Sequence, residues 1–325
     1  MPKALDRPVA LGAALGVVLA LVTALAVRRR RRRNDEGVAL DDVEVRPGLG
    51  PVTIVINPSS GSADGVDLDD VPVRELREGE DLDAVLRGLA DDGIAVLGVA
   101  GGDGSVGCAA QVALDRDRTL WAVPGGTLNH FARALGFTEP ELALEGLAAG
   151  RVASVDVGEA DGVVFVNNAS LGVYGELVQR REALEHRLPK RIALLLAAGA
   201  ILRHAEPLDV EIDGAPDRVY LIFVGNNAYS GAGLTGRESL QAGLLDVRIL
   251  SAAGRLPRLT ALASILTARH GSSRWLTQSL RSRFDVSLRE PAVLAHDGEA
   301  RDVVGEVRFA IRPRALRVVV PDPSA

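Results

Sequence analysis

Between Val96 and Gly136, one apolar run delivers GGDGS (Gly101 to Ser105) and a second, about one βαβ unit later, delivers PGGTLNHFARALG. Each reads as a strand that ends in a glycine-rich turn and opens into a helix. Glycine has no Cβ, so such a turn lets backbone N–H groups close on phosphate oxygens. The helix after each turn adds its N-terminal dipole and unpaired N–H groups. Two of these turns can line a single crevice, which points to a nucleotide triphosphate site. No G-x-x-x-x-G-K-[ST] P-loop occurs in the chain. Asp103 adds a constraint: a carboxylate among glycines repels phosphate unless Mg²⁺ sits between them, and Mg²⁺ takes carboxylate, water and phosphate oxygens.

GGDGS, PGGTLNHFAR and the upstream NPSSG (Asn57 to Gly61) resemble the catalytic domain of diacylglycerol kinases, above all the bacterial YegS-like lipid kinases, with sphingosine and ceramide kinases as more distant relatives. The resemblance continues through FVNNASLGVYGELV (Phe165 to Val178), GNNAYSGAG (Gly225 to Gly233), GLLDV (Gly243 to Val247) and HDGE (His296 to Glu299), in the family's order. It covers the chain from about Val52 to its C-terminus.

Ahead of these motifs, Val9 to Val27 is uncharged, with Thr23 as its one polar residue, and Arg28 to Arg33 follow at once. A helix of that length, at about 1.5 Å per residue, nearly spans a hydrocarbon core of about 30 Å. The arginine block should stay cytoplasmic, which places the N-terminus outside and the body inside the cell. A cleaved signal peptide is the alternative. The apolar run is long for one, and six arginines directly after it would resist translocation. The expectation is a single-pass anchor in the cell membrane. Residues 1–33 carry a net +7 and the remainder −13, so a cationic stripe faces lipid head groups while an acidic body offers nothing to nucleic acid. The one cysteine, Cys108, excludes an intramolecular disulfide and CxxC zinc sites. At the start of the helix after GGDGS it reads as a packing residue rather than a reactive thiolate.

After a polar linker (28–51), strand and helix alternate. Strands are expected at Val52 to Ile56, Val71 to Leu76, Ile94 to Val99 and Leu120 to Val123. Helices are expected at Leu82 to Leu89, at Ser105 to Leu114 and from Asn129 to Leu135. That order implies an α/β lobe with a parallel sheet over 52–151, the glycine turns gathering at the carboxyl ends of its strands. From about Val152 the segments become short and alternating, which fits a β-rich sandwich over 152–314. A terminal strand at about 315–321 is expected to return to the first lobe. Arg191 to Arg203 reads as an interposed core helix, too short to span a bilayer. The family likeness names this architecture an NAD kinase/diacylglycerol kinase-like lobe followed by a lipid-substrate lobe.

The resemblance also assigns roles. It places ATP on Asn57, Pro58, Ser59, Ser60 and Gly61, on Gly101, Gly102, Asp103, Gly104 and Ser105, and on Gly125, Gly126, Thr127 and Asn129. Asp103 would organise Mg²⁺ and the transferring phosphate. Asp156, in VDVG, matches an acidic position linked to a metal–water network. Asp-Gly within HDGE is by itself a hairpin signal. The family's DGE turn faces the nucleotide, which makes Glu299 the general base, with Asp297 as its partner or an alternative. Three departures stand out: Cys108 where relatives carry glutamate, Arg77 near a position where they use threonine, and Ala242 where they often carry aspartate. The last makes a structural metal near Ser239 to Leu244 doubtful. The reading that results is an ATP- and Mg²⁺-dependent lipid kinase, with diacylglycerol as the leading acceptor and phosphatidic acid as the product of phospholipid metabolism. A silent lipid-binding protein on the same fold and an NAD kinase are the alternatives. The oligomeric state, a homo-oligomer included, stays open.

Overall fold

The computed structural model describes residues 37–57, 71–126, 129–172, 206–229, 236–252 and 276–322. Residues 1–37 form one unit and 38–325 another, and both lobes of the fold belong to the second. The expected anchor at 9–27, the arginine block, Pro58 to Gly61, Thr127 and the segment 191–203 lie outside the described residues. No helix among the described residues is long and apolar enough to cross a membrane.

The order is β1 (Glu44–Val45), β2 (Val52–Ile56), β3 (Val73–Glu75), α1 (Leu82–Asp91), β4 (Val96–Gly101), α2 (Asp103–Asp115), β5 (Thr119–Pro124), α3 (His130–Leu135) and α4 (Pro140–Ala148). Then come β6 (Arg151–Ala160), β7 (Val163–Phe165), β8 (Asn168–Gly172), β9 (Leu208–Ile212), β10 (Ala215–Asn226) and β11 (Leu245–Ser251). The last are β12 (Leu276–Arg281), β13 (Arg283–Leu288), β14 (Ala292–His296), β15 (Glu299–Val303) and β16 (Glu306–Val319).

The first lobe is a parallel sheet in the order β3-β2-β4-β5, extended by the end of β16 through the pair Val318 and Leu120. Every residue of β4 and β5 is buried, as the continuous apolar runs of a two-sided parallel sheet require. Because β4 and β5 run the same way, the chain leaves each at the same edge, so the glycine turns at their ends are neighbours. Helix α1 buries Leu86 and Ala90, and its N-cap Asp81 accepts the Asp83 N–H at 3.2 Å. Gly98 in β4 leaves room for the Trp121 ring, whose Nε1 donates to the Ala143 carbonyl at 2.9 Å and so ties β5 to α4.

The second lobe is antiparallel, with β15-β14-β8-β10-β9-β13 leading into β16, and β11 and β12 branching from β10. Its core is separate from that of the first lobe and includes Phe165, Ile222, Phe284 and Phe309. Strand β16 joins the two lobes. Phe309 to Arg312 pair with Val157 to Ala160, and Leu316 to Val319 with Val152 to Val155 of the same β6, with an irregularity between. At that irregularity Arg314 takes a positive φ of 49°.

Candidate active site

The two glycine turns meet backbone to backbone. A Cβ on Gly125 would lie 2.9 Å from the Gly101 nitrogen, and one on Gly126 would lie 2.5 Å from the Gly102 Cα. Gly126 and Asn129 also lock their loop, the Gly126 N–H donating to Asn129 Oδ1 and Asn129 Nδ2 donating to the Gly126 carbonyl, each at 2.8 Å. Asn129 sits in the left-handed region, φ 50° and ψ 43°, where asparagine is among the better-tolerated side chains. From the end of β2, Asn57 Nδ2 reaches Ser105 Oγ at 3.2 Å. Helix α2 begins on Gly102 with no side-chain cap, so its first-turn N–H groups are those an anion at the helix start would meet.

Asp103, the first residue of α2, faces the neighbouring turn. Its carboxylate accepts the His130 and Phe131 N–H groups at 3.2 Å each, capping α3, and accepts Asn167 Nδ2 at 3.0 Å. That last contact comes from the second lobe. One Asp103 lone pair of about four remains.

The turn between β14 and β15 is the second lobe's other contribution. Asp297 and Gly298 both have positive φ, 45° and 95°, the signature of the two-residue hairpin turn that Asp-Gly favours. Asp297 is buried, and its oxygens accept the N–H groups of Val166, Asn167 and Asn168 at 2.6, 2.8 and 3.2 Å. Burial pushes its carboxyl up to about 7; the three N–H donors oppose this, and the nearby Asp103 charge adds to it. Glu299 comes directly after Gly298. A Cβ on Gly104 would meet its Cγ at 3.7 Å and its Oε1 at 3.8 Å, so its carboxylate stands at the amino end of α2. Partial burial, and behind it the charge of Asp81, raises its pKa above the ordinary value. His296 is held below its usual range by burial.

Asp156 is fully buried. Its oxygens accept the Gly243 N–H at 2.6 Å and the Arg314 N–H at 2.7 Å, which fastens the loop before β11 to the irregularity of β16. Ala242, in the same loop, donates its N–H to Asn227 Oδ1 at 3.0 Å. Among the described residues no group of three or more His, Cys, Asp or Glu side chains is placed to hold a metal ion. Magnesium bound through one carboxylate and substrate phosphates needs no such group. Asp103, open on one lone pair beside both glycine turns, fits that role, whereas Asp156 is fully buried with each oxygen accepting one backbone N–H. Burial pushes the Cys108 thiol up to about 12, so it is a packing residue and not a thiolate.

The sequence motifs hid a further set of residues. Asn167 bonds both Asp103 and Arg237, whose guanidinium stacks 5.7 Å from the Phe131 ring centroid and 5.6 Å from that of Tyr229. The Tyr229 hydroxyl donates to the Asn167 carbonyl at 2.9 Å. Tyr229 is placed in turn by Asp246 of GLLDV, which accepts its N–H at 3.0 Å and pairs with buried Arg248 at 2.7 Å. The signal was present, because FVNN, GNNAY and GLLDV all belong to the family pattern. In the structure they hold Asn167, Asp103's partner.

A parallel sheet with paired glycine turns at its carboxyl edge, closed by a carboxylate-bearing hairpin from a β-rich lobe, defines a two-lobed phosphotransferase. Residues 51–160 match the diacylglycerol kinase catalytic domain, and residues 169–320 match the YegS C-terminal NAD kinase beta sandwich-like domain. The chain is 28% identical over 237 residues to a diacylglycerol kinase of Bacillus subtilis (70% of this chain, 78% of that one). It is 29% identical over 264 residues to a "probable lipid kinase YegS-like" of Pseudomonas aeruginosa (78% and 85%). A crystal structure of a diacylglycerol kinase from Bacillus anthracis superposes with a TM-score of 0.60 at 20% identity, over 84% of this chain and 97% of that one, and shares its fold. The protein belongs to the diacylglycerol kinase and YegS-like lipid kinase family.

Proposed function

We propose that the protein transfers the γ-phosphate of ATP to the hydroxyl of a membrane lipid, diacylglycerol before others, giving phosphatidic acid. The observation that carries this is Glu299 standing beside Gly104 at the uncapped start of α2, where a triphosphate seated on the glycine turns would present its transferable end. Phosphoryl transfer asks mainly for positioning and charge stabilisation. The turns around Gly101 to Ser105 and Gly125 to Asn129, with Asn57 behind them and Pro58 to Gly61 and Thr127 completing the set, supply the positioning. Asp103 is the residue that would hold Mg²⁺, which when bound neutralises charge on the phosphates. Glu299, made more basic by partial burial, takes the hydroxyl proton as the lipid oxygen attacks. Asp297 is the scaffold: its oxygens are committed to three N–H groups and hold the hairpin against 166–168. Asp156 fastens the second lobe. The nucleotide is thus assigned to 52–151 and the lipid to 152–314.

Radiolabelled γ-phosphate offered with Mg²⁺ and a total-lipid extract tests this. A labelled lipid is expected from the wild type, with loss of label in both Asp103→Ala and Glu299→Ala. A folded wild type that labels no lipid sinks the proposal. The same reading anchors residues 9–27 in the cell membrane with the body on the cytoplasmic side. The full chain should then sediment with membranes and a chain beginning at residue 38 should not; equal sedimentation would refute the anchor.

A further inference from the structure

We propose that Arg237 is a positioning residue for phosphoryl transfer, acting through Asn167 on Asp103; this rests on the lipid kinase reading above. Arg237 can only donate hydrogen bonds, and the Asp103 oxygens accept from His130, Phe131 and Asn167. An asparagine amide placed between Arg237 and Asp103 has one satisfactory orientation, oxygen to the guanidinium and nitrogen to the carboxylate, and this is what is found. Arg237 Nη2 donates to Asn167 Oδ1, and Asn167 Nδ2 donates to Asp103 Oδ1 at 3.0 Å.

The guanidinium is fixed from both lobes. Phe131 belongs to α3, whose first N–H groups bond Asp103, and Tyr229 comes after β10 and holds the Asn167 main chain. Nη1 of Arg237 is buried without a hydrogen-bond partner. Leaving a buried charged donor unpaired is costly. A residue retained in that state for packing alone would be better as an apolar side chain. Its guanidinium donates to the amide that orients Asp103, so orienting the amide is the function assigned. Arg237 lies in GRESL, outside every motif that carries the family likeness.

The test uses the full chain with Arg237→Met, Arg237→Lys, Asn167→Ala and the double variant Arg237→Met/Asn167→Ala. Methionine keeps an apolar stem between the two rings and removes the donor. The expected result is a kcat about 10- to 100-fold down in Arg237→Met, with KM for lipid within about twofold and the thermal midpoint close to wild type. Lysine should recover part of the rate. The double variant should be no slower than Asn167→Ala, because two residues acting on one target do not multiply. A wild-type kcat in Arg237→Met overturns the proposal, and so do multiplying losses in the double variant. A wild type that phosphorylates no lipid overturns the kinase reading instead, a result distinct from an active wild type whose Arg237→Met is equally active.

Discussion

Gly126→Ala should separate the two glycine turns and disable the enzyme while leaving it folded. The added Cβ would lie 2.5 Å from the Gly102 Cα and 3.0 Å from both the Gly102 nitrogen and Asn129 Oδ1. Two of those neighbours are backbone, which cannot rotate away. Carbon atoms in ordinary contact sit about 3.5–4 Å apart, so one turn must retreat by about 1 Å. Overpacking of this kind costs about 1–3 kcal/mol of stability, which a domain of this size tolerates. Catalysis tolerates it less, since a misplacement of about 1 Å can cost about 100-fold in rate. Initial rates against ATP should show kcat/KM down by about that factor, with urea unfolding shifted only modestly. Gly88→Ala is the control: it lies in α1 with nothing within 4 Å of the new Cβ, and should gain about 0.5–1 kcal/mol from helix propensity at unchanged kcat/KM. A Gly126→Ala enzyme with wild-type kcat/KM for ATP would refute the abutting-turn geometry.

Glu299→Gln should lower kcat about 10²- to 10⁴-fold, the usual worth of a general base. Because burial raises the Glu299 pKa, the acid limb of the wild-type profile should lie above the ordinary glutamate range and rise with pH; an unchanged limb in the variant would argue against this role. Asp297 is held at about 7 in the fold, against an ordinary value of 3.8. Between those limits the folded protein binds more protons than the unfolded chain, so the contribution of this group is largest below about pH 4. It declines as pH rises to about 7, by up to about 4 kcal/mol at ~1.4 per pH unit. Urea unfolding at pH 5 and pH 8 should show that slope in the wild type and a flatter one in Asp297→Asn, and equal slopes would contradict it. Arg248→Met should cost about 3–5 kcal/mol, since it strands the fully buried Asp246 carboxylate. A loss below about 1 kcal/mol by the same assay would show that Gln278 and the Tyr229 N–H satisfy Asp246 alone.

Periodicity locates the elements that bury one face or two. Strand β2 has the bounds that its apolar run suggests, and α1 differs only at its end. It is less informative where backbone pairing, not side-chain pattern, decides. Strand β12 reads LTQSLR with no buried residue, and β15 begins inside the motif whose Asp-Gly signals a turn. Helix α4 is short and escapes the pattern, although Pro140 stands at its first turn. The terminal strand expected at about 315–321 is the end of a longer one, Glu306–Val319, because the irregularity around Arg314 bends β16 without breaking it. In the site, the glycine turns and the DGE hairpin are legible because glycine and Asp-Gly mark backbone conformations directly. The layer behind them is not, since a neutral amide such as Asn167 has no periodicity and its role depends on two partners 64 and 70 residues away.

The acidic groups tie the second lobe to the first. The charge of Asp103 raises the cost of ionising Asp297, yet the fold brings the two together across the lobe boundary. It does so by spending backbone N–H groups on both: His130 and Phe131 on Asp103, and Val166 to Asn168 on Asp297. Those donors come from opposite lobes, and Asn167 serves both carboxylates, its main-chain N–H on Asp297 and its side-chain amide on Asp103. A displacement of β8 would therefore disturb the Asp103 carboxylate and the hairpin bearing Glu299 in a single motion. Gly107 of α2 reinforces the coupling, because a Cβ there would lie 3.1 Å from Asp297 Oδ2. One shared segment, 166–168, thus positions both carboxylates, and a movement of either lobe acts on the two at once.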